Sequence, residues 1–253
     1  MSIRRTLTIL NFYMIYAIEY LPLRIHYAFF DPNIVQKGKE ETRLMVTTIG
    51  DSITAGMCSS SFTLASKENY AAYLSKMLGF DLINLSYPFA ISKDALKQAQ
   101  RAPESDVMVV FIGANDAILG REVSKYGNDL KRIIEIAKGK ARVVIILGLP
   151  NFSCVKDTDS MRCKITRTVL FPLGLIVSDP DVVMRFERFN SKIKEIAKEQ
   201  GVRFVDMSKI EFSDEELGSD CFHPSPLGQR RIAEEVYTAI KQFPESLFKG
   251  RLP

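Results

Sequence analysis

The sequence contains few of the residues that bind metals or close disulfides. Its 253 residues include only two histidines and four cysteines. The spacing of Cys58, Cys154, Cys163 and Cys221 does not match a zinc site. There is also no internal repeat and no low-complexity tract. The sequence therefore gives no indication of a zinc module or a repeat architecture.

Charge is spread along the chain, and no region is strongly basic. The formal net charge is +4, with lysine and arginine scattered among aspartate and glutamate. Nucleic-acid-binding domains usually concentrate basic residues on one surface, so we expect no nucleic-acid partner. Apolar residues make up 46% and charged residues 25% of the chain, which excludes a largely disordered protein.

Residues 1–42 form an N-terminal apolar segment that differs from the rest. Arg4 and Arg5 precede an uncharged run at 6–18, and no small-residue cleavage site follows. A helix over residues 6–30 is long enough to cross a bilayer, so we expect a signal anchor or another membrane-associated helix. The alternatives are a helix that packs on the domain and one that lies along the membrane surface.

The N-terminal charges also bear on the compartment. Arg4 and Arg5 favour a cytoplasmic N-terminus, which places the rest of the chain outside the cytoplasm. In an oxidising compartment Cys154 and Cys163 can close a small disulfide loop, whereas all four cysteines stay free thiols in a reducing cytosol. An extracytoplasmic, anchored location is the expectation, and a cytoplasmic one is the alternative.

Residues 43–253 have the pattern of one α/β domain. Short runs rich in valine and isoleucine alternate with segments of helical periodicity. The expected strands lie at 44–49, 82–85, 107–112, 143–149 and 204–205, and the expected helices at 67–78, 92–101, 123–138, 182–200 and 227–242. This alternation predicts a three-layer α/β/α sandwich around a five-stranded parallel sheet, with the functional site beyond the carboxyl ends of the strands.

One connection is too long for this pattern. About thirty residues, at 150–180, follow the fourth expected strand and include an apolar stretch at 169–177. Loops of this length in compact domains are usually functional. We expect a lid-like insertion that walls an acyl pocket; a helix that completes the core is the alternative.

A serine stands where the first strand ends. The motif Gly50-Asp51-Ser52-Ile53-Thr54-Ala55-Gly56 directly follows the run at 44–49. Two glycines allow a sharp turn, and a rigid strand end presents the serine as a nucleophile. An ordinary turn with a helix-capping serine is the alternative for this motif taken alone.

A serine nucleophile needs a base, and only two histidines are present. His26 lies in the N-terminal segment, where a ring among apolar neighbours is more often packing. His223 lies just before the last expected helix, three residues after Asp220. An aspartate at that spacing can accept the Nδ1 hydrogen and leave Nε2 facing outward, so we expect His223 to be the base and Asp220 its orienting partner.

An asparagine follows the third expected strand. In Gly113-Ala114-Asn115-Asp116 the amide of Asn115 can donate to an oxyanion formed when the serine attacks a carbonyl. A turn-forming asparagine is the alternative.

Together these motifs resemble the SGNH, or GDSL-like, hydrolase superfamily. The matching blocks are Gly50-Asp51-Ser52 with Thr54 and Gly56, Gly113-Ala114-Asn115-Asp116, and Asp220-Cys221-Phe222-His223-Pro224, in the same order and over residues 43–243. The resemblance implies a flavodoxin-like sheet and a Ser52-His223-Asp220 triad. It further implies an oxyanion hole with Asn115 and the Ser52 N–H, and hydrolysis of esters or thioesters without metal or cofactor.

One block departs from this pattern. The superfamily offers a glycine N–H to the oxyanion five residues after an asparagine, and here Phe89 holds that position after Asn84 and Pro88. A backbone donor survives a change of side chain, although glycine tolerates dihedral angles that phenylalanine does not. We therefore expect Phe89 to donate its N–H and its ring to narrow the acyl site.

The expected activity is that of a serine esterase acting on an acyl or acetyl ester of a small molecule, carbohydrate or lipid. The alternatives are an O-acyltransferase that uses the same triad on a carbohydrate hydroxyl, and a non-catalytic binding module. The sequence does not distinguish oligomeric states.

Overall fold

The computed structural model describes residues 44–59, 65–150 and 180–248. The expected N-terminal membrane segment and the core of the expected lid, 151–179, lie outside the described residues. So do Cys154, Cys163 and His26. Among the helices of the described ranges, none is both long and apolar enough to cross a membrane.

Five parallel strands form one sheet in the order β2-β1-β3-β4-β5. They are β1 (Met45–Gly50), β2 (Asp81–Asn84), β3 (Ser105–Phe111), β4 (Ala141–Leu147) and β5 (Arg203–Val205). Val46 of β1 lies opposite Leu82 on one side and Val107 on the other, and Val107 lies opposite Val143. The predicted fold class is therefore confirmed.

Seven α-helices connect and flank the strands in the described residues. They are α1 (Ser52–Ala55), α2 (Tyr70–Leu78), α3 (Ser92–Arg101), α4 (Ala114–Ile118), α5 (Val123–Lys140), α6 (Pro180–Gln200) and α7 (Pro226–Lys241). Helix α2 packs on α7, while α5 packs between α3 and α6. The two groups of helices enclose the sheet. Short 3₁₀ turns occur at Met207–Lys209, Asp214–Glu216 and Glu245–Phe248.

The core lies on both faces of the sheet. Successive residues of a strand point to opposite faces, yet Met108, Val109 and Val110 of β3 are all fully buried. A strand buried on both faces needs apolar side chains at every position, which is the continuous apolar run at 107–111 seen in the sequence.

The fold brings the functional motifs to one edge of the sheet. Gly50, the last residue of β1, lies opposite Phe111, the last residue of β3. The chain leaves both strands side by side, so the turns that carry Ser52 and Asn115 begin next to each other. The connection that follows β5 returns His223 to the same edge.

Candidate active site

The nucleophile turn is held by close backbone packing. A Cβ on Gly50 would lie 2.2 Å from the Thr54 hydroxyl and 2.7 Å from the Phe111 carbonyl oxygen, so only glycine fits there. Gly56 ends α1 with a φ of 76°, in the left-handed region that favours glycine. Asp51 caps the same helix by accepting the Ile53 N–H at 3.1 Å. These contacts fix Ser52 at the first position of α1.

The base lies in a closed loop before α7. The Gly218 N–H donates to the His223 carbonyl oxygen at 2.7 Å, and the Cys221 N–H donates to the Gly218 carbonyl oxygen at 3.0 Å. One carboxylate oxygen of Asp220 accepts the backbone N–H groups of Phe222 and His223, at 3.0 and 2.9 Å. These backbone contacts orient the carboxylate independently of its contact with the imidazole.

Ser52, His223 and Asp220 form a continuous hydrogen-bonded chain. His223 Nε2 lies 2.8 Å from Ser52 Oγ, and Nδ1 lies 2.5 Å from the second carboxylate oxygen of Asp220. All three side chains are buried. Burial alone would raise the pKa of Asp220, but the His223 ring and the two backbone N–H groups outweigh it and hold that pKa below its usual value. The sequence predicted that these three residues act together, and in the structure their side chains are in contact.

Asn115 lies at the start of α4, beside the loop that carries Phe89. Its side-chain N–H donates to the Ala90 carbonyl oxygen at 3.0 Å, and the residue is buried. A carboxamide nitrogen carries two hydrogens, so one Asn115 amide can hold the neighbouring loop and still offer a donor to a ligand.

Phe89 has a left-handed backbone conformation. Its φ is 62°, and the Ala90 N–H donates to the Tyr87 carbonyl oxygen at 3.4 Å. With Pro88 second and a left-handed residue third, residues 87–90 have the pattern of a type II turn, where glycine is usual. The left-handed conformation costs a phenylalanine about 1–2 kcal/mol. Packing of its buried ring with Met57 and Cys58 offsets that cost.

Two buried glutamines that the sequence analysis missed support the nucleophile turn. The Gln98 amide of α3 accepts the Gly50 N–H at 2.9 Å and donates to the Gly50 carbonyl oxygen at 3.0 Å. Gln229 of α7 donates to the Ile53 carbonyl oxygen at 2.9 Å and accepts the Tyr70 N–H at 2.9 Å. The sequence did offer a signal for Gln98. It is a polar residue on the core-facing side of an amphipathic helix, between Ala95 and Ala99.

A buried ionic network joins the loops of Phe89 and Asn115. Asp116 accepts the Ser92 backbone N–H at 2.8 Å and the Ser92 hydroxyl at 2.6 Å. The Arg121 guanidinium lies 3.0 Å from Asp116 and 2.7 Å from Asp129. The start of α3 is therefore tied to the residue that follows Asn115, which fixes the distance between the two loops.

Asp51 is buried next to the nucleophile and is hard to ionise. Burial raises its pKa from 3.8 to about 7, against the lowering effects of the Ile53 N–H and the His223 ring. A carboxyl whose pKa is raised by folding destabilises the folded state progressively as pH rises from its unfolded pKa to its folded pKa. Ionisation of Asp51 therefore lowers the stability of the folded state by an amount that grows between about pH 4 and 7.

Asp51→Asn should remove this pH dependence. The asparagine oxygen still caps Ile53 but does not ionise. We therefore expect the stability of the variant minus that of the parent to be larger at pH 8 than at pH 5, by on the order of 2 kcal/mol. Urea unfolding of both proteins at the two pH values measures the difference. An equal effect of the substitution at pH 5 and pH 8 would show that Asp51 titrates normally.

The described cysteines differ in state. Cys221, between Asp220 and His223, is disulfide-bonded, and its partner lies outside the described residues. Cys58 keeps a buried thiol. In the described part of the chain, one group of side chains has the composition of a metal site, namely Cys58, Asp220 and His223.

The sequence matches the model of a known protein family. A model of the GDSL-like lipase/acylhydrolase family matches residues 48–231, well over half of the chain. None of the curated proteins matches the sequence.

Solved structures share the fold at low sequence identity. A lipase/acylhydrolase from Enterococcus faecalis is 24% identical with a TM-score of 0.57, over 83% of this chain and 97% of that one. An acetylxylan esterase from Geobacillus stearothermophilus is 17% identical with a TM-score of 0.57, over 79% and 95%. A psychrotrophic esterase from Pseudoalteromonas sp. is 19% identical with a TM-score of 0.55, over 78% and 97%. With the family match, these findings show that the chain belongs to the GDSL-like lipase/acylhydrolase family and is an ester-hydrolysing enzyme.

Proposed function

We propose that the protein hydrolyses acyl or acetyl esters through a Ser52-His223-Asp220 triad. The observation that carries this proposal is the unbroken chain of contacts from Ser52 Oγ through both ring nitrogens of His223 to Asp220, at 2.8 and 2.5 Å. A buried serine in contact with a buried, carboxylate-oriented imidazole is the arrangement needed to activate a hydroxyl as a nucleophile.

The reaction follows from that chain. Ser52 Oγ attacks the ester carbonyl carbon while its proton passes to His223 Nε2, and Asp220 stabilises the resulting imidazolium. Collapse of the tetrahedral intermediate breaks the ester bond, and Nε2 returns the proton to the departing alkoxide. A water molecule then gives its proton to Nε2 and attacks the acyl-serine. In the second collapse Nε2 returns this proton to Ser52 Oγ, which releases the carboxylic acid and restores the Ser52 hydroxyl.

The oxyanion of each intermediate needs donors aimed at one point. We assign this role to the backbone N–H of Ser52, the Asn115 amide and the backbone N–H of Phe89. The contact of Asn115 with Ala90, one residue after Phe89, supports the assignment because it couples two of these donors. The network of Ser92, Asp116 and Arg121 holds the same two loops together.

Phe89→Gly tests the backbone donor. Because the turn already has the left-handed conformation that glycine favours, we expect kcat on a short acyl ester to stay within about tenfold of the parent. The smaller side chain should also admit bulkier esters. Rates on acetyl and branched p-nitrophenyl esters measure both effects. A rise in kcat of well over tenfold would show instead that Phe89 misaligns the oxyanion hole in the parent.

The substrate class is tested by an ester series. Hydrolysis of p-nitrophenyl esters from acetyl to long acyl chains gives the acyl preference, and an acetylated xylo-oligosaccharide belongs in the panel because one structural neighbour is an acetylxylan esterase. We expect turnover of at least one short ester. Products that form only when a carbohydrate acceptor is added would favour acyl transfer, and no turnover of any ester would contradict the proposal.

We further propose that the catalytic domain lies outside the cytoplasm. The disulfide at Cys221 and the Arg4-Arg5 pair before the N-terminal apolar run support this location. Alkylation of denatured protein before and after reduction should reveal two additional thiols after reduction, the number released by one disulfide. An equal count in both samples, from protein purified without reductant, would contradict it.

A further inference from the structure

A buried thiol lies beside the base of the triad. The Cys58 sulfur, a carboxylate oxygen of Asp220 and a ring nitrogen of His223 all lie within 4.8 Å of one another. The three residues are only 2%, 1% and 3% exposed. Thiolate, carboxylate and imidazole are the ligand types that zinc takes in proteins. We propose that these residues bind a thiophilic divalent cation such as Zn²⁺, and that the bound cation stops catalysis.

The backbone holds Cys58 against the base loop. The Ser219 N–H and hydroxyl both donate to the Cys58 carbonyl oxygen, at 3.0 and 3.2 Å. A Cβ on Gly218 would lie 2.2 Å from the same oxygen, so the two segments are in direct contact. The sulfur is therefore positioned by the same loop that carries Asp220 and His223.

These three ligand atoms can reach a tetrahedral zinc ion after small side-chain shifts. Zn–S and Zn–N bonds of about 2.3 and 2.0 Å place neighbouring ligand atoms about 3.3–3.6 Å apart. The sulfur has to approach by up to about 1 Å, and the Nδ1–carboxylate pair, now 2.5 Å apart, has to open by about 1 Å, which side-chain rotation can supply. A hard cation such as Mg²⁺ prefers oxygen ligands and should not bind here.

Occupation of this site excludes catalysis, a consequence that rests on the proposed function. Both ring nitrogens of His223 are used by the triad, Nε2 with Ser52 and Nδ1 with Asp220. A metal bound at Nε2 displaces the serine, and a metal bound at Nδ1 separates the ring from its carboxylate. Either bond removes a contact that the base needs, so the cation acts as a reversible inhibitor.

Metal binding is measured without reference to activity. Titration of protein purified without reductant, with the Cys221 disulfide intact, with Cd²⁺ should give the ultraviolet charge-transfer absorption of a Cd–thiolate bond, in the parent and equally in Ser52→Ala. The absorption should be lost in Cys58→Ala, with Cys58→Ser as a second variant in case the alanine variant does not fold. Absence of the band in the parent, or its persistence in a folded Cys58 variant, would overturn the site.

Inhibition is then measured with ZnCl₂ on a p-nitrophenyl ester, relative to the metal-free rate of each variant. We expect EDTA to restore the parent's rate, Mg²⁺ to have no effect, and the Zn²⁺ inhibition constant to rise by about tenfold or more without the Cys58 thiol. Equal Zn²⁺ inhibition of the parent and the Cys58 variants would overturn the inference. Because Ser52→Ala reports Cd²⁺ binding without esterase activity, failure of the triad and failure of the metal site give different results.

Discussion

Ser52→Ala is expected to lower kcat by about 10⁴-fold or more while leaving the fold intact. The Oγ oxygen is the only heavy atom lost, and it is the atom in contact with His223 Nε2 at 2.8 Å. His223→Ala should reduce kcat by a similar factor, and the double variant should be hardly worse than either, because triad members act as a unit. Rates on a short p-nitrophenyl ester, with thermal unfolding of each variant, measure these effects.

A nearby serine provides the matched control. Ser59 is also buried, but its hydroxyl donates to the Glu68 carbonyl oxygen at 2.9 Å. Ser59→Ala should therefore change stability and leave the esterase rate close to that of the parent. Most activity remaining in Ser52→Ala, from a preparation free of contaminating esterase, would refute the triad.

Asn115→Ala has the second largest expected effect. If its amide donates to the oxyanion, the loss falls mainly on the transition state, so we expect kcat to drop by about two to three orders of magnitude with little change in KM. Removal of the contact with Ala90 also loosens the adjoining loop, which adds to the effect in the same direction. Steady-state kinetics on one short ester separates kcat from KM.

Asn69→Ala controls for the loss of any buried asparagine. Asn69 caps α2 by accepting the Ala72 N–H at 2.9 Å, so its replacement should cost about 1 kcal/mol of stability and leave kcat unchanged. A change in KM alone for Asn115→Ala would make Asn115 a substrate-positioning residue, and an equal kcat loss in both variants would make its effect structural.

The sequence predicted the sheet well because its signal is local. Strands of a parallel sheet favour apolar and β-branched residues, and the five predicted runs match the five strands within a few residues. The start of the first predicted helix, at 67–78, was less accurate. Lys67 was expected to begin that helix, but the side chain of Asn69 caps it, so α2 begins at Tyr70.

The features that the sequence did not predict are very short helices and contacts between distant segments. Helices α1 and α4 have four and five residues, too few for a helical period to appear in the sequence. Gln98 meets Gly50 across 48 residues, and Cys58 meets the base loop across about 160. Phe89 has a left-handed φ where glycine is usual, and the turn that it forms with Pro88 accommodates this conformation. Only the folded chain reveals these pairings.

Covalent labelling tests the central claim most directly. A fluorophosphonate reacts with a serine that is activated by a neighbouring base, so the intact protein should gain one phosphonyl adduct, and peptide mass spectrometry should locate it at Ser52. His223→Ala should react far more slowly, and Ser52→Ala not at all. An adduct at another residue, or no adduct on folded protein that hydrolyses esters, would contradict a mechanism in which Ser52 is the nucleophile.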